Sequence, residues 1–171
     1  LLHPGVQIRA ESFADTRLPE GHFDAAIGNV PFGQAKLHDP VHNLGNHSMH
    51  NHFILKALAL VKPGGVVELV SSSWTLDALN PAARREIAEH ADFLGAVRLP
   101  NGAHRRVAGT DVLTDILVLR RRDGEPRHSG EFERSRPMVL LNTDAEPVTV
   151  DQKLANGRPD RRVCPRRDRV V

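Results

Sequence analysis

Asp24-Ala25-Ala26-Ile27-Gly28-Asn29-Val30-Pro31-Phe32-Gly33 runs an apolar segment straight into Asn, Pro and Phe, and that junction constrains the arrangement of everything around it. Phe23–Gly28 is short, apolar and free of helical spacing, so it reads as a β-strand that ends at a loop. Open α/β sheets receive their ligands at the carboxyl ends of such strands. Pro31 through His47 continues with Gly33, Pro40 and Gly45 and no steady periodicity, the mark of a long loop kept for function.

Downstream, apolar residues fall at Met49, Phe53, Ile54, Ala57, Leu58 and Val61, close to a 3.6-residue period. This predicts a helix over Ser48–Val61, with Ser48 as N-cap and Pro63-Gly64-Gly65 as the stop. Val66–Val70 follows as a short buried strand, and Pro81 opens a second helix reaching about Ala91. Phe93–Leu99 and Val112–Arg121 read as two further strands. Upstream, Val6–Arg9 after Pro4-Gly5 reads as a short strand, joined to Phe23 by the polar connector Glu11–His22. Alternating strands and helices predict an α/β fold with a mostly parallel sheet. The last two strands share only the loop Pro100–Thr110, too short for a parallel crossover, so the final one is expected to run antiparallel.

Composition narrows the class without choosing a partner. The chain has 171 residues, enough for one domain with an apolar core. Its net charge of +2 arises in the tail. Residues 158–171 hold Arg158, Arg161, Arg162, Arg166, Arg167 and Arg169 against Asp160 and Asp168, which leaves the rest slightly acidic. A phosphate-binding face would therefore have to come from local clusters such as Arg105-Arg106 or Arg120-Arg121-Arg122. The single cysteine, Cys164, excludes an internal disulfide framework and fits a reducing, cytoplasmic setting. No signal peptide is apparent, and no apolar run approaches the roughly 18–20 residues that span a bilayer.

Asn29-Val30-Pro31-Phe32 resembles the Asn-Pro-Pro-aromatic motif of amino-group methyltransferases, with valine at the usual first proline. The likeness extends from about Val6 to Arg122. It includes Phe23-Asp24, Lys62-Pro63-Gly64-Gly65, the Val66–Ser71 strand, Phe93-Leu94-Gly95-Ala96-Val97-Arg98-Leu99-Pro100, and Gly109-Thr110-Asp111-Val112-Leu113-Thr114-Asp115-Ile116-Leu117-Val118-Leu119. Together these are similar to the back half of N6-adenine DNA methyltransferases, those of type I restriction systems and of large proteins that join a methyltransferase to a helicase. The resemblance implies a partial Rossmann-like sheet, S-adenosylmethionine as cofactor and DNA as substrate. It also implies, as partners in a parent protein, a helicase domain or a specificity subunit.

The chemistry that the resemblance implies needs these residue types together. An adenine amine is a poor nucleophile, because its lone pair is delocalised into the ring. The Asn29 side-chain oxygen and the main-chain oxygen of Val30 can each accept one amine hydrogen and hold the nitrogen in line with a methyl sulfonium. Phe32 can stack on an extruded base, and Pro31 stiffens the turn. Valine retains the backbone carbonyl that this role uses. By the same resemblance, Glu11, Ser12 and Phe13 are the candidates for contact with the methyl donor, although the usual Asp is displaced or replaced by Ser12.

Other signals receive plainer readings. His38, His42, His47, His50 and His52 crowd one stretch without metal-ligand spacing, so a polar loop that contacts substrate is preferred to zinc, and no metal is expected. Arg84-Arg85 and Glu86 read as a solvated helix face. Arg105 and Arg106, in a loop between strands, are candidates for substrate contact. Trp74, just past a strand end, is a candidate stacking platform or a packing residue.

Two domain-level expectations follow. Residues 1–122 form a methyltransferase catalytic domain lacking its first strands and Gly-rich turn, since neither stands upstream of Val6. Residues 123–171 form an irregular, poorly packed basic tail with one or two weak strands at most. From Gly157 that tail reads as a basic arm or, preferably, as out-of-frame translation of a GC-rich gene. The chain is thus expected to be part of a longer enzyme and need not be active alone. The competing class is a non-catalytic remnant or nucleic-acid-binding module.

Overall fold

A computed structural model describes residues 5–100, 103 and 112–124, together with the backbone of 138–140. Its elements in chain order are β1 (Phe23–Asn29), α1 (Met49–Leu60), β2 (Val61–Ser72), α2 (Trp74–Asp77), α3 (Ala82–His90), β3 (Ala91–Arg98), β4 (Thr114–Arg121) and β5 (Met138–Leu140). They build one sheet in the order β1-β2-β4-β3-β5. β1 is parallel to β2, β4 is antiparallel to both β2 and β3, and β5 is parallel to β3. Four strands therefore point one way and β4 the other, which is the mostly parallel α/β sheet expected.

β4 is antiparallel as the short connection requires, yet it takes an interior place between β2 and β3 rather than an edge. Its Val, Ile and Leu run suits a central strand. Leu117 and Leu119 lie beside Leu69 and Val67 of β2 in register. All four are buried in one cluster with Ile54 and Leu58 of α1 and Ile87 and Ala88 of α3. The helical layer thus covers one face of the sheet. On the other face Val66, Val70, Ile116 and Val118 are only half-buried.

Three local expectations are corrected. Val6–Arg9 is exposed, extended chain rather than a strand, since it meets no ladder partner among the described residues and strand propensity alone does not hold a segment. Pro63-Gly64-Gly65 does not separate α1 from β2, because extended backbone begins at Val61 directly after the helix. The register instead steps from Phe23↔Val61 to Ala25↔Val66, so Lys62–Gly65 is a bulge opposite Asp24. Gly64 supplies φ +79° there, and a Cβ on Gly65 would stand 2.8 Å from the Asp24 and Lys62 carbonyl oxygens.

Nor is Arg120-Arg121-Arg122 a phosphate-binding face. Arg121 donates to the Ala59 and Val61 carbonyls at the end of α1, and Arg122 to the Ala88 carbonyl near the end of α3. Guanidinium groups at helix carboxyl ends satisfy carbonyls that lack helical partners. Arg120 and Arg122 also pair with Asp92.

Candidate functional site

β1 and β2 are parallel neighbours, so their carboxyl ends share one rim of the sheet, where Asn29 stands opposite Val70. Asn29 is exposed. The next residue turns inward: Val30 is buried in the core cluster, and its amide donates to the Val70 carbonyl at 3.0 Å. Proline has no N–H and could not make this bond, so valine extends the β1–β2 ladder by one residue at this point. Pro31 is exposed, and Phe32 is half-buried with its ring against the core cluster. Trp74 opens α2 four residues beyond Val70 on the same rim and is 59% exposed.

Behind this rim lies a buried polar chain. Ser71 and Thr75 hydroxyls are 3.1 Å apart, Thr75 donates to the Asn51 side-chain oxygen at 3.0 Å, and the Asn51 amide donates to the Ser48 hydroxyl at 3.1 Å. Ser48 Oγ stands 3.0 Å from His50 Nε2. Ser48 is the N-cap of α1 by position but makes no side-chain cap bond, because its hydroxyl is committed to this chain. Burial holds the His50 imidazole below its usual pKa, with the Gly33 backbone acting in the opposite sense. The chain therefore links the end of β2 to the residue that follows Phe32.

The candidate donor-contacting residues sit in a separate turn. Asp15 and Thr16 amides both donate to the Ser12 carbonyl, at 2.9 and 3.0 Å. Glu11 and Ser12 are exposed, and Glu11 makes a loose pair with Arg9 at 3.4 Å. Phe13 turns towards α1, its ring centroid 4.7 Å from that of Phe53. Lys56, 1% exposed, donates from Nζ to the Phe13 carbonyl at 2.5 Å, to the Ala14 carbonyl at 3.0 Å and to Asp39 Oδ2 at 2.9 Å. Asp39 Oδ2 also meets His52 Nε2 at 3.1 Å, while Oδ1 accepts from the Val41 and His42 amides, each at 3.1 Å. Burial alone would raise the Asp39 pKa, but the bonds from Lys56, His52 and the two amides outweigh it and hold the carboxyl well below its usual range.

A second ionic cluster lies at the carboxyl end of β3. Arg98 Nε donates to Asp115 Oδ1 at 2.7 Å, and Nη2 reaches Asp115 Oδ2 at 2.9 Å and Asp77 Oδ1 at 3.0 Å. Burial would lower the Arg98 pKa, but the two carboxylates more than reverse it. The pair stitches β3 to β4 and both to α2.

Asn29, Val30, Pro31, Phe32 and Trp74 are thus brought to one rim, whereas Phe13 is committed to α1 and Arg105 and Arg106 lie outside the described residues. Four of the five clustered histidines have internal partners instead of standing open to a substrate. His42 joins Glu20 and Asp39, His47 joins Glu86, His50 joins Ser48, and His52 joins Asp39. Arg84 is buried rather than solvated, donating to the Thr75 and Ala78 carbonyls and so closing α2. The roles of Lys56 and Arg98 were missed in the sequence, although a cation inside Phe53-Ile54-Leu55-Lys56-Ala57-Leu58, or between Val97 and Leu99, is a visible signal for a buried partner.

No family model matches the chain. Among curated proteins it is similar to the defense against restriction protein B of Escherichia phage P1, 30% identical over 151 residues, which is 84% of this chain and 6% of that protein. The chain therefore spans only a small part of this relative. Among solved structures, a modification subunit assigned to a type I restriction enzyme of Vibrio vulnificus YJ016 superposes with TM-score 0.52 and 17% identity, covering 74% of this chain and 27% of that one. The M protein of the type I restriction enzyme EcoKI superposes with TM-score 0.50 and 18% identity over 80% of this chain and 29% of its own. The chain shares the α/β fold of type I restriction modification subunits, of which it spans less than a third.

Proposed function

We propose that this chain supplies the base-contacting half of an S-adenosylmethionine-dependent methyltransferase acting on the N6 amine of adenine in DNA. One observation carries the reading: an exposed Asn29 at the carboxyl end of β1 is followed by a Val30 whose main chain is pinned to Val70 and whose side chain is buried. That anchoring fixes the Asn29–Val30 backbone relative to the sheet before any base arrives, so the main-chain acceptor needs little ordering in the binding step and the exposed Asn29 amide has only its own rotamer to set. The Asn29 amide oxygen and the Val30 carbonyl take the two amine hydrogens and turn the nitrogen lone pair outward. Phe32 and Trp74 offer aromatic faces for a base drawn out of the duplex.

Glu11, Ser12 and Phe13 fit a donor in part. A carboxylate and a hydroxyl are exposed, as ribose hydroxyls require, while Phe13 already spends one side of its ring on Phe53. When bound, the donor supplies a methyl group on a sulfonium. The remaining donor contacts are assigned to a partner half pairing along β1, whose outer edge carries no strand among the described residues and whose Ile27 is 79% exposed. Residues 1–122 act as this catalytic part, with Met138–Leu140 from 123–171 adding β5 to the same sheet, in a cytoplasmic protein that also carries a helicase domain or engages a specificity subunit.

The test is methyl transfer to adenine-containing DNA by the full-length polypeptide. Asn29→Ala is expected to lower turnover by about 100-fold or more while leaving the thermal midpoint unchanged, because the side chain is exposed. Retained turnover rejects the assignment.

A further inference from the structure

We propose that Lys56 and Asp39 are positioning residues that couple the Glu11–Phe13 turn to the loop following Phe32, so that neither can shift without the other. The inference rests on the reading of these two segments as donor-contacting and base-contacting.

The ammonium of Lys56 has three hydrogens, and three oxygens receive them: two main-chain carbonyls of the first segment, Phe13 and Ala14, and one carboxylate oxygen of the second, Asp39. Its charge also lies 5.1 Å from the Phe13 ring centroid, so side chain and backbone of that residue are held from one point. The carboxylate of Asp39 is used just as fully. It receives Lys56 and His52 from α1 and the Val41 and His42 amides from its own loop, with His42 Nδ1 a looser neighbour at 3.4 Å.

From Asp39 the constraint travels along the loop. The Asn43 amide donates to the Asp39 carbonyl. The Asn43 side chain donates to the Leu37 and His47 carbonyls and accepts from the His47 amide, and the Met49 amide donates to the Ala35 carbonyl. The long loop is therefore a folded unit hung on Asp39 and Asn43 and tied back to the start of α1. Lys56 and His52 stand one helical turn apart on α1, which sets the spacing between the two attachment points.

Bulk stability is a poor explanation for this arrangement. A buried Lys–Asp pair loses hydration at both ends, and a methionine and a leucine would fill the same core at least as well. What an apolar pair could not do is receive one loop and the backbone of another at a shared, directional point. The consequence is mutual: ordering of the Phe13–Ala14 segment by a donor favours the loop geometry that presents Phe32, and the reverse.

The test follows hydrogen exchange of the full 171-residue chain by mass spectrometry, and S-adenosylmethionine binding to the full-length polypeptide, which carries the remaining donor contacts, by calorimetry. In Lys56→Met, exchange at Ala14–Thr16 and at Val41–Asn43 is expected to rise together by about tenfold or more, while amides of β2 and β4 remain protected. Asp39→Asn, which keeps the shape, is expected to give the same paired change and serves as the deciding variant if Lys56→Met unfolds. Donor affinity should fall by about tenfold in both variants and recover in Lys56→Arg, which a purely structural role would not produce. Exchange that rises on one segment alone, with the other unchanged, overturns the coupling. Absence of donor binding by the wild-type full-length polypeptide instead defeats the donor-turn reading, and the paired exchange still decides the coupling.

Discussion

Replacing Arg98 by methionine gives the sharpest test of how the carboxyl end of the sheet is held together. The guanidinium is 1% exposed and Asp115 is 0% exposed, and two bonds of 2.7 and 2.9 Å join them in the bidentate manner that suits Arg and carboxylate. Methionine preserves most of the apolar stem, so packing changes little. What is lost is the compensation of a buried carboxylate, which costs about 3–5 kcal/mol when one partner of such a pair is removed. Asp77 adds little to this cost, because its side chain is 17% exposed and can hydrate once Arg98 is gone. Against a typical domain stability of about 5–15 kcal/mol, the loss is large. With a urea slope of about 2 kcal/mol per molar, the unfolding midpoint should fall by about 2 M. Asp115→Leu added to Arg98→Met should restore much of this, giving a coupling of about 2 kcal/mol or more in a double-mutant cycle. A midpoint change under about 0.5 M, or simple additivity of the two substitutions, would show that the pair contributes little and refute the reasoning.

Acidification and the bulge offer two further tests. His50 and His52 are held below the usual 6.5 chiefly by burial, and Asp39 well below 3.8 by its bonds to Lys56 and His52 despite burial. In all three cases the unfolded chain takes up protons first, so stability falls as pH drops below about 6.5 for the histidines and again below about 3.8 for Asp39. Urea midpoints at pH 7.5 and 5.0 should show the first loss, and a rise at the lower pH would contradict it. Gly65→Ala should destabilise by about 2–3 kcal/mol, since the carbonyls facing its Cβ are backbone. Gly64→Ala meets no atom within 4 Å and loses only the φ +79° preference, about 1 kcal/mol, so the reverse ranking in thermal denaturation would reject the bulge.

Local patterns carried the elements they physically specify. The spacing of Met49, Phe53, Ile54, Ala57 and Leu58 is a property of one helix, and it located α1 to within a residue or two. The short Pro100–Thr110 connection likewise forced β4 to reverse. Its insertion between β2 and β3 depends on pairings across dozens of residues, which no local window contains. The same limit explains the arginines. Arg84, Arg121 and Arg122 look like surface charge until the helix ends they close are brought beside them by the fold. At the candidate site, the Asn29–Phe32 order was legible because strand and loop chemistry meet within four residues. The bonds of Lys56 to Phe13, Ala14 and Asp39 were not, because their partners lie 43, 42 and 17 residues away.

The outer margin of β1, which carries no strand among the described residues, also governs how the chain behaves when handled alone. Its residues are exposed or only half-covered on both faces, and it presents amide and carbonyl groups in the row that recruits a further strand. Two molecules meeting along that row would satisfy each other's main chains at no cost in folding. Concentrated samples should therefore form higher-order species that dilute with added denaturant well below the unfolding midpoint, and a charged residue at Ile27 should suppress them without touching the core.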